Sequence, residues 1–307
     1  MLDPQCASFL APGADAPELI DLPISVGRNG SYAGLALAGE IESDVLIRTQ
    51  FIPGETADLA IRIYTPRTSG PHPGMLYIHG GGWAYFSIDF YDAQLSALSK
   101  LTDSVIVSIN YQKSPEHKFP IPHDDSYSAL KWVFENSHVL SIDKDRIGVG
   151  GDSAGGNLAA GVALRARDEK DYPLAYQLLI YPALGVDFDT NSYVNNGTGY
   201  GLTKRTMSWL WSLYLDRPED WKNPYAVPLA SEDLQGLPPA IVITAEYDVL
   251  RDDGAAYANV LRKSGVPVIY KDFEGMIHGF FNYGTQIEEG MRLRNWIKSA
   301  ILDLLAK

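Results

Sequence analysis

The chain is poor in sulfur and in positive charge. Among 307 residues there is one cysteine, Cys6. No intrachain disulfide can form, so an oxidising compartment gains no support, and a cysteine so near the terminus is not a nucleophile candidate. Lys and Arg number 25 against 38 Asp and Glu, a formal charge of −13. That balance excludes nucleic acid as a partner, because binding a polyanion needs a basic surface that releases counterions. An anionic membrane surface is disfavoured for the same reason. No apolar run approaches the ~18 residues of a membrane span. The opening residues, MLDPQCASFL, have neither the basic nor the apolar region of a signal peptide. Internal repeats and low-complexity tracts are also missing. The expectation is a globular chain in the cytoplasm.

What is present is a regular alternation. Val45–Phe51 and Leu59–Tyr64 read as antiparallel strands joined at Pro53–Gly54. After a loop over Thr68–Gly74, apolar runs at Met75–Ile78, Val105–Tyr111, Ile147–Gly150, Tyr176–Tyr181, Ala240–Ala245 and Val268–Phe273 alternate with helical spacing. The helices fall at Asp89–Leu101, Asp124–Asn136, Ala154–Arg167, Asp253–Ser264 and Ile287–Leu305. Such a pattern predicts an α/β fold with a mostly parallel central sheet and helices on both faces. Before Val45, one helix is expected near Ser31–Ala38. Between Tyr181 and Ala240 lie nearly sixty residues without a strand pattern, with a helix at Thr203–Leu215 and Thr203 as its cap. An insertion of that size at a strand's end reads as a lid. The span 1–307 is therefore one domain with a lid.

Gly151-Asp152-Ser153-Ala154-Gly155 follows an apolar run and opens a helix. That strand–turn–helix setting is the one a nucleophile elbow requires. The turn that projects Ser153 leaves no room for bulk two residues before or after it, and the helix N-terminus favours developing negative charge. His79-Gly80-Gly81-Gly82-Trp83 follows another strand. Three glycines free the backbone to aim N–H groups at an oxyanion. A phosphate loop would need Lys-Ser/Thr after the glycines, and Trp-Ala follows instead.

Of six histidines, His278 lies just past the last strand-like run and is the candidate base. His72, His117, His123 and His138 are assigned to surface or packing, and His79 to bracing the glycine loop. The acid should sit at another strand end between serine and histidine. Asp248 fits, with Glu246 the alternative. Asp252 reads as the N-cap of the next helix and Asp253 as part of its first turn. The order Ser153, Asp248, His278 matches that of α/β-hydrolases, unlike chymotrypsin or subtilisin.

With HGGGW at His79–Trp83, GDSAGG at Gly151–Gly156, a tyrosine-led loop with Pro115-Glu116-His117-Lys118-Phe119-Pro120 after Tyr111, and EGMIHGF at Glu274–Phe280, the chain resembles the hormone-sensitive-lipase-like carboxylesterases, also called bacterial family IV esterases, of the α/β-hydrolase fold. The similarity runs from Pro73 to Phe281. Four positions depart from the family pattern: Lys113-Ser114 in place of Leu-Ala, Val249 in place of proline, and Asp253 in place of glutamate. None removes a catalytic group.

The resemblance implies a serine carboxylesterase working through an acyl-enzyme, with Gly81, Gly82 and Ala154 as oxyanion donors and Gly80 a weaker candidate. It implies a cap built from residues 1–44 and 183–230, and neither cofactor nor metal. Trp83, Tyr181, Trp209 and Phe280, together with Tyr85, Phe86, Trp211 and Phe281, are the candidates for lining the acyl and alcohol pockets. A small, neutral, short- to medium-chain ester suits the acidic surface. The same machinery serves amidases, lactonases and arylacetamide deacetylases. A non-catalytic binder of this fold, like the plant hormone receptor that lacks the histidine, is the reading from another class. Val268–Phe273, as a sheet edge, could pair with a second copy in a homodimer.

Overall fold

The computed structural model describes residues 1–306; Lys307, the last residue of the expected domain, lies outside them. Eight strands form one sheet in the order β1-β2-β4-β3-β5-β6-β7-β8. They are β1 (Val45–Pro53), β2 (Asp58–Pro66), β3 (His72–Ile78), β4 (Val105–Asn110), β5 (Ile142–Asp152), β6 (Tyr176–Ile180), β7 (Ala240–Tyr247) and β8 (Val268–Ile277). β2 is antiparallel to both β1 and β4, and every pair from β4 to β8 is parallel. The sheet is thus mostly parallel, as the alternation requires, and β8 forms one edge.

The helices are α1 (Pro4–Leu10), α2 (Ile24–Ala33), α3 (Asp92–Thr102), α4 (Ile121–Glu135), α5 (Ala154–Glu169), α6 (Asn191–Asn195), α7 (Lys204–Tyr214), α8 (Arg251–Lys263) and α9 (Glu288–Leu305). The central strands are apolar on both faces, so their side chains feed two cores. On β3, Leu76 and Ile78 join Leu130 of α4, Leu158 of α5 and Leu261 of α8 on one face. Met75 and Tyr77 join Leu95 of α3 and Ile297 of α9 on the other. Among the described residues no helix is long and apolar enough to cross a membrane.

Several boundaries differ from those read in the sequence. β3 starts at His72, inside the expected loop, because His72 pairs with Ile142 of an equally extended β5. The helix expected at Ser31–Ala38 is instead α2, ending at Ala33, with a 3₁₀ turn at Leu35–Leu37. Gly27 and Gly30 hid its start by interrupting the apolar spacing. Gly27 is there for a close approach: a Cβ on it would meet Tyr85 Cε1 at 2.6 Å. Helix α1 has no counterpart among the expected elements, although Asp3 followed by Pro4 is a helix-start signal; Asp3 Oδ1 accepts from the Gln5 N–H at 2.7 Å.

The insertion between β6 and β7 carries α6 and α7. Thr203 caps α7 as expected, its hydroxyl accepting from the Thr206 N–H at 3.0 Å. The N-terminal segment is tied to the same helix. Glu18 accepts from the hydroxyls of Thr203 and Thr206, and Arg205 pairs with Asp21 through two bonds of 2.6 and 2.7 Å.

Candidate active site

The C-terminal ends of β5, β7 and β8 bring together three side chains that lie far apart in the sequence. Ser153 stands between β5 and α5 with φ 56° and ψ −123°, a strained backbone that the elbow enforces. A Cβ on Gly155 would fall 2.0 Å from Ile78 O, and one on Gly151 would fall 2.3 Å from Gly155 O. The sheet and helix therefore close on the turn only with glycine at both positions.

His278 directly follows β8, and Asp248 directly follows β7. The Ser153 hydroxyl lies 2.9 Å from His278 Nε2, and His278 Nδ1 lies 2.7 Å from Asp248 Oδ2. Asp248 is buried, so its carboxylate fixes the tautomer that donates from Nδ1 and leaves Nε2 to accept from the serine. Asp248 Oδ1 also accepts from the Leu250 N–H at 2.9 Å, which locks the carboxylate's rotation. Glu246, the alternative acid, is committed elsewhere: it accepts from the Gly275 N–H at 2.7 Å.

In the glycine loop, Gly81 and Gly82 have φ of 103° and 57°. The N–H groups of Gly81, Gly82 and Ala154 have no protein acceptor among the described residues. The Gly80 N–H is already engaged, at 3.0 Å from both Tyr91 Oη and Asp152 Oδ1. His79 braces the loop as expected. Its ring stacks on Tyr111 at 4.4 Å, and its Nδ1 lies 2.7 Å from Gly80 O. Burial holds its pKa well below the ordinary imidazole value, so it stays neutral. His72 and His123 are buried in packing and His138 is exposed.

Asp152, the residue before Ser153 in the elbow motif, ties the site together. The Asp152 carboxylate is buried beside Ser153, and Oδ1 accepts from Tyr77 Oη and the Gly80 N–H, both at 3.0 Å. Its Oδ2 accepts from Tyr91 Oη at 2.9 Å and Asn282 Nδ2 at 3.2 Å. Burial raises its pKa, and these four bonds oppose the rise. One carboxylate thus joins the elbow, the glycine loop and the segment that follows His278. Its position inside the elbow motif was the available signal.

Other expectations need correction. Trp83, Tyr181 and Phe280 have no accessible surface, so they back the site and do not line a pocket. Trp83 stacks on Tyr214 at 4.6 Å and donates from Nε1 to Asn157 Oδ1 at 3.2 Å, wedging the glycine loop against α7. Tyr181 sits 4.7 Å from the His278 ring and 5.9 Å from Phe280. Trp209 on α7 keeps accessible surface.

Asp252 is not the cap of α8, which starts one residue earlier. Asp252 accepts from the Ser192 N–H at 2.8 Å, and Asp253 Oδ2 accepts from the Leu184 and Gly185 N–H groups at 3.0 and 2.9 Å. Both acids reach across to the insertion. The insertion answers with Ser192 Oγ on Val249 O at 2.6 Å and Asn196 Nδ2 on Asp248 O at 3.1 Å, two supports of the acid loop that no local pattern announces.

Comparison with known proteins fits this geometry. A family model described as the alpha/beta hydrolase fold matches residues 75–282. The chain is 39% identical over 234 residues to carboxylesterase NlhH of Mycobacterium tuberculosis, covering 75% of this chain and 73% of that one. It is 38% identical to the arylacetamide deacetylase of Bos taurus, covering 72% of each. Among solved structures, a hyperthermophilic esterase from the archaeon Pyrobaculum calidifontis superposes with a TM-score of 0.94 at 37% identity, over 100% of this chain and 99% of that one. The chain belongs to the α/β-hydrolase fold family, in the hormone-sensitive-lipase-like group that its glycine-loop and elbow motifs resemble.

Proposed function

We propose that the chain is a serine carboxylesterase. The observation that carries the reading is the hydrogen-bonded line Ser153–His278–Asp248, at 2.9 and 2.7 Å, beside three N–H groups without a protein acceptor. Ser153 Oγ attacks the ester carbonyl while His278 Nε2 takes its proton. The Asp248 carboxylate stabilises the imidazolium so formed. Negative charge moves to the carbonyl oxygen, where the N–H groups of Gly81, Gly82 and Ala154 meet it; one such donor contributes about 10²–10³ in kcat. The imidazolium then protonates the leaving alcohol. A water, deprotonated by His278, attacks the acyl-enzyme and releases the acid.

The substrate class follows from charge and access. A net charge of −13 disfavours anionic esters at the mouth of the site. Ser153 is 8% exposed, which suits a small, neutral ester of short to medium acyl chain. The deacetylase relative keeps amide hydrolysis as the second reading. Two further proposals concern assembly and place. The edge strand β8 offers its outer side to a second copy, and a monomer by light scattering at micromolar concentration would overturn that. The buried free thiol of Cys6, pushed up to about 11 by burial, suits the cytoplasm, and recovery only outside the cytosolic fraction would overturn that.

The test is a series of 4-nitrophenyl esters of graded acyl length, with an anilide, run on wild type and Ser153→Ala. Activity is expected to fall beyond about eight carbons, with the anilide slower than the ester. Ser153→Ala is expected to lose at least about 10⁴-fold in kcat/KM while staying folded. Retained hydrolysis in that variant would overturn the assignment, and anilide turnover above ester turnover would favour the amidase.

A further inference from the structure

Beside the glycine loop lies a cleft of about 330 Å³ that none of Ser153, Asp248 and His278 lines. It is framed by α2, by Phe86 and Ser87 after the glycine loop, and by the loop after β4 that carries Lys113. Of the cations there, Arg28 is paired with a carboxylate. It binds both oxygens of Glu116, at 2.8 and 2.7 Å, and the carbonyls of Ala84 and Ser114 at 2.8 and 2.9 Å. This pairing holds the Glu116 carboxyl down at about 2.

Lys113 is different. Its Nζ donates to Asn110 Oδ1 at 2.6 Å and to Tyr111 O at 3.1 Å, two neutral acceptors, and has no carboxylate partner among the described residues. The nearby Asp125 is already engaged by the N–H and side-chain amide of Gln112. An ammonium with three donors therefore keeps one without a hydrogen-bond acceptor among the described residues; Nζ is half-buried, 5.1 Å from the centre of the Tyr111 ring, in a chain of net charge −13. Next to it stand the accessible rings of Phe86 and Tyr32. One unpaired cation beside flat apolar surface fits a small organic monoanion. The Glu116 carboxylate in the same cleft disfavours a more highly charged one.

The cleft is also wired to the glycine loop. Tyr111 Oη donates to His79 O at 3.1 Å. Phe86 rests on Gly81, where a Cβ would come within 2.8 Å of Phe86 Cδ2. Among the described residues His79 Nε2 is buried without a hydrogen-bond partner, and Lys113 and Asn110 are the groups acting on that ring from the cleft side.

We propose that this cleft is a second ligand site that takes a small organic carboxylate, its charge on Lys113 and its apolar part against Phe86. If the esterase reading holds, the acid released at the adjoining loop is its ready source; binding itself does not depend on that reading. Occupancy would carry a proton signature. Burial, and then the neighbouring Arg28, bring the Lys113 amine down to about 7. The other charged or titratable groups facing it are Asp125 from α4, Tyr32 from α2, His79 from the glycine loop, and Tyr111, Glu116 and His117 from its own loop. A bound carboxylate favours the charged ammonium, so binding above pH 7 takes up a proton.

The experiment is calorimetric titration of sodium benzoate into the protein at pH 8, in two buffers of different ionisation enthalpy. One site per chain is expected, with uptake of most of a proton. Lys113→Leu should weaken binding at least tenfold. Lys113→Arg should keep binding and lose the proton uptake. Benzyl alcohol should not compete, and acetate should bind more weakly than benzoate. Benzoate should also protect Lys113 of the wild type from trinitrophenylation, read by peptide mass spectrometry, which tests the site even if Lys113→Leu fails to fold. The proposal is overturned by undiminished binding in a folded Lys113→Leu, by unprotected Lys113, or by no saturable binding. Loss of binding on sulfonylation of Ser153 would overturn it too, by placing benzoate at the nucleophile.

Discussion

Replacing Asp152 by asparagine tests whether one buried carboxylate holds the catalytic pieces in register. The change removes a charge and turns one acceptor oxygen into a donor. If the amide oxygen takes the place of Oδ1, the bonds from Tyr77 and Gly80 survive as neutral ones. The new NH₂ group then faces Tyr91 Oη, which can rotate, and Asn282 Nδ2, a donor that cannot accept. Asn282 can flip only by giving up the bond from Gln94 Nε2 at 3.1 Å. Hydrogen bonds to a charged group are worth about 1 kcal/mol more than neutral ones, so four of them weaken by about 4 kcal/mol together. Relief of the buried charge returns part of this, leaving a net loss of about 2–3 kcal/mol. In urea unfolding this is a lower midpoint at unchanged slope. In kinetics, Gly80 is the anchor of the loop that carries the donors Gly81 and Gly82. A shift there should lower kcat by about 10²-fold or more and leave KM nearly unchanged, because Asp152 touches no substrate. A folded Asp152→Asn variant with wild-type kcat would refute the reasoning. So would a rise in KM at constant kcat.

Two other substitutions probe the frame around the site. Gly155→Ala should yield no active, native enzyme, since its Cβ would sit 2.0 Å from Ile78 O and 2.6 Å from the His79 carbonyl carbon; a folded, active variant by circular dichroism and ester assay would contradict the steric account of the elbow. Asp253 is buried, and burial raises its carboxyl from 3.8 to about 7. A raised folded-state pKa means that its contribution is full below about pH 4, declines as pH rises toward 7 and is lost above it. Asp253→Asn keeps an oxygen for the Leu184 and Gly185 N–H groups without the charge. It should match wild type near pH 4 and exceed it by a few kcal/mol at pH 8. Equal differences in urea stability at the two pH values would refute this.

The parts legible in the sequence are those whose cause is local. Ser153 could be assigned because the elbow turn excludes Cβ atoms at Gly151 and Gly155, a constraint written within five residues. Asp248 and His278 could be assigned because parallel strands deliver their following residues to one edge of the sheet, so chain order fixes where each side chain arrives. Thr203 was legible as a cap because its partner, the Thr206 N–H, is three residues away. Asp252 failed by the same logic. Its position before a helical pattern satisfied the local rule, but its carboxylate is spent on Ser192, sixty residues upstream. The aromatic residues failed for a related reason. A Trp or Tyr reads alike whether it lines a pocket or fills a gap, and only packing decides; Trp83, Tyr181 and Phe280 turned out to have no surface to offer a substrate.

The same non-local bonds change what the insertion between β6 and β7 is. A lid that only covers the site would touch the catalytic loops through apolar surface and could be exchanged without disturbing the triad. Here Ser192 and Asn196 donate to the backbone of the acid loop at Val249 and Asp248, while Asp252 and Asp253 accept backbone N–H groups of the insertion in return. Ser192, Asn196 and Asp253 are buried, so leaving any of these three unpaired costs about 1–3 kcal/mol. Asp248 is therefore held at two points: the carboxylate paired with His278 by the Leu250 N–H, and the backbone carbonyl by Asn196 of the insertion. Variation that retunes the substrate without loosening Asp248 has to fall beyond Asn196, on α7 and the turns after it, where Trp209 keeps the accessible face that the buried aromatics lack.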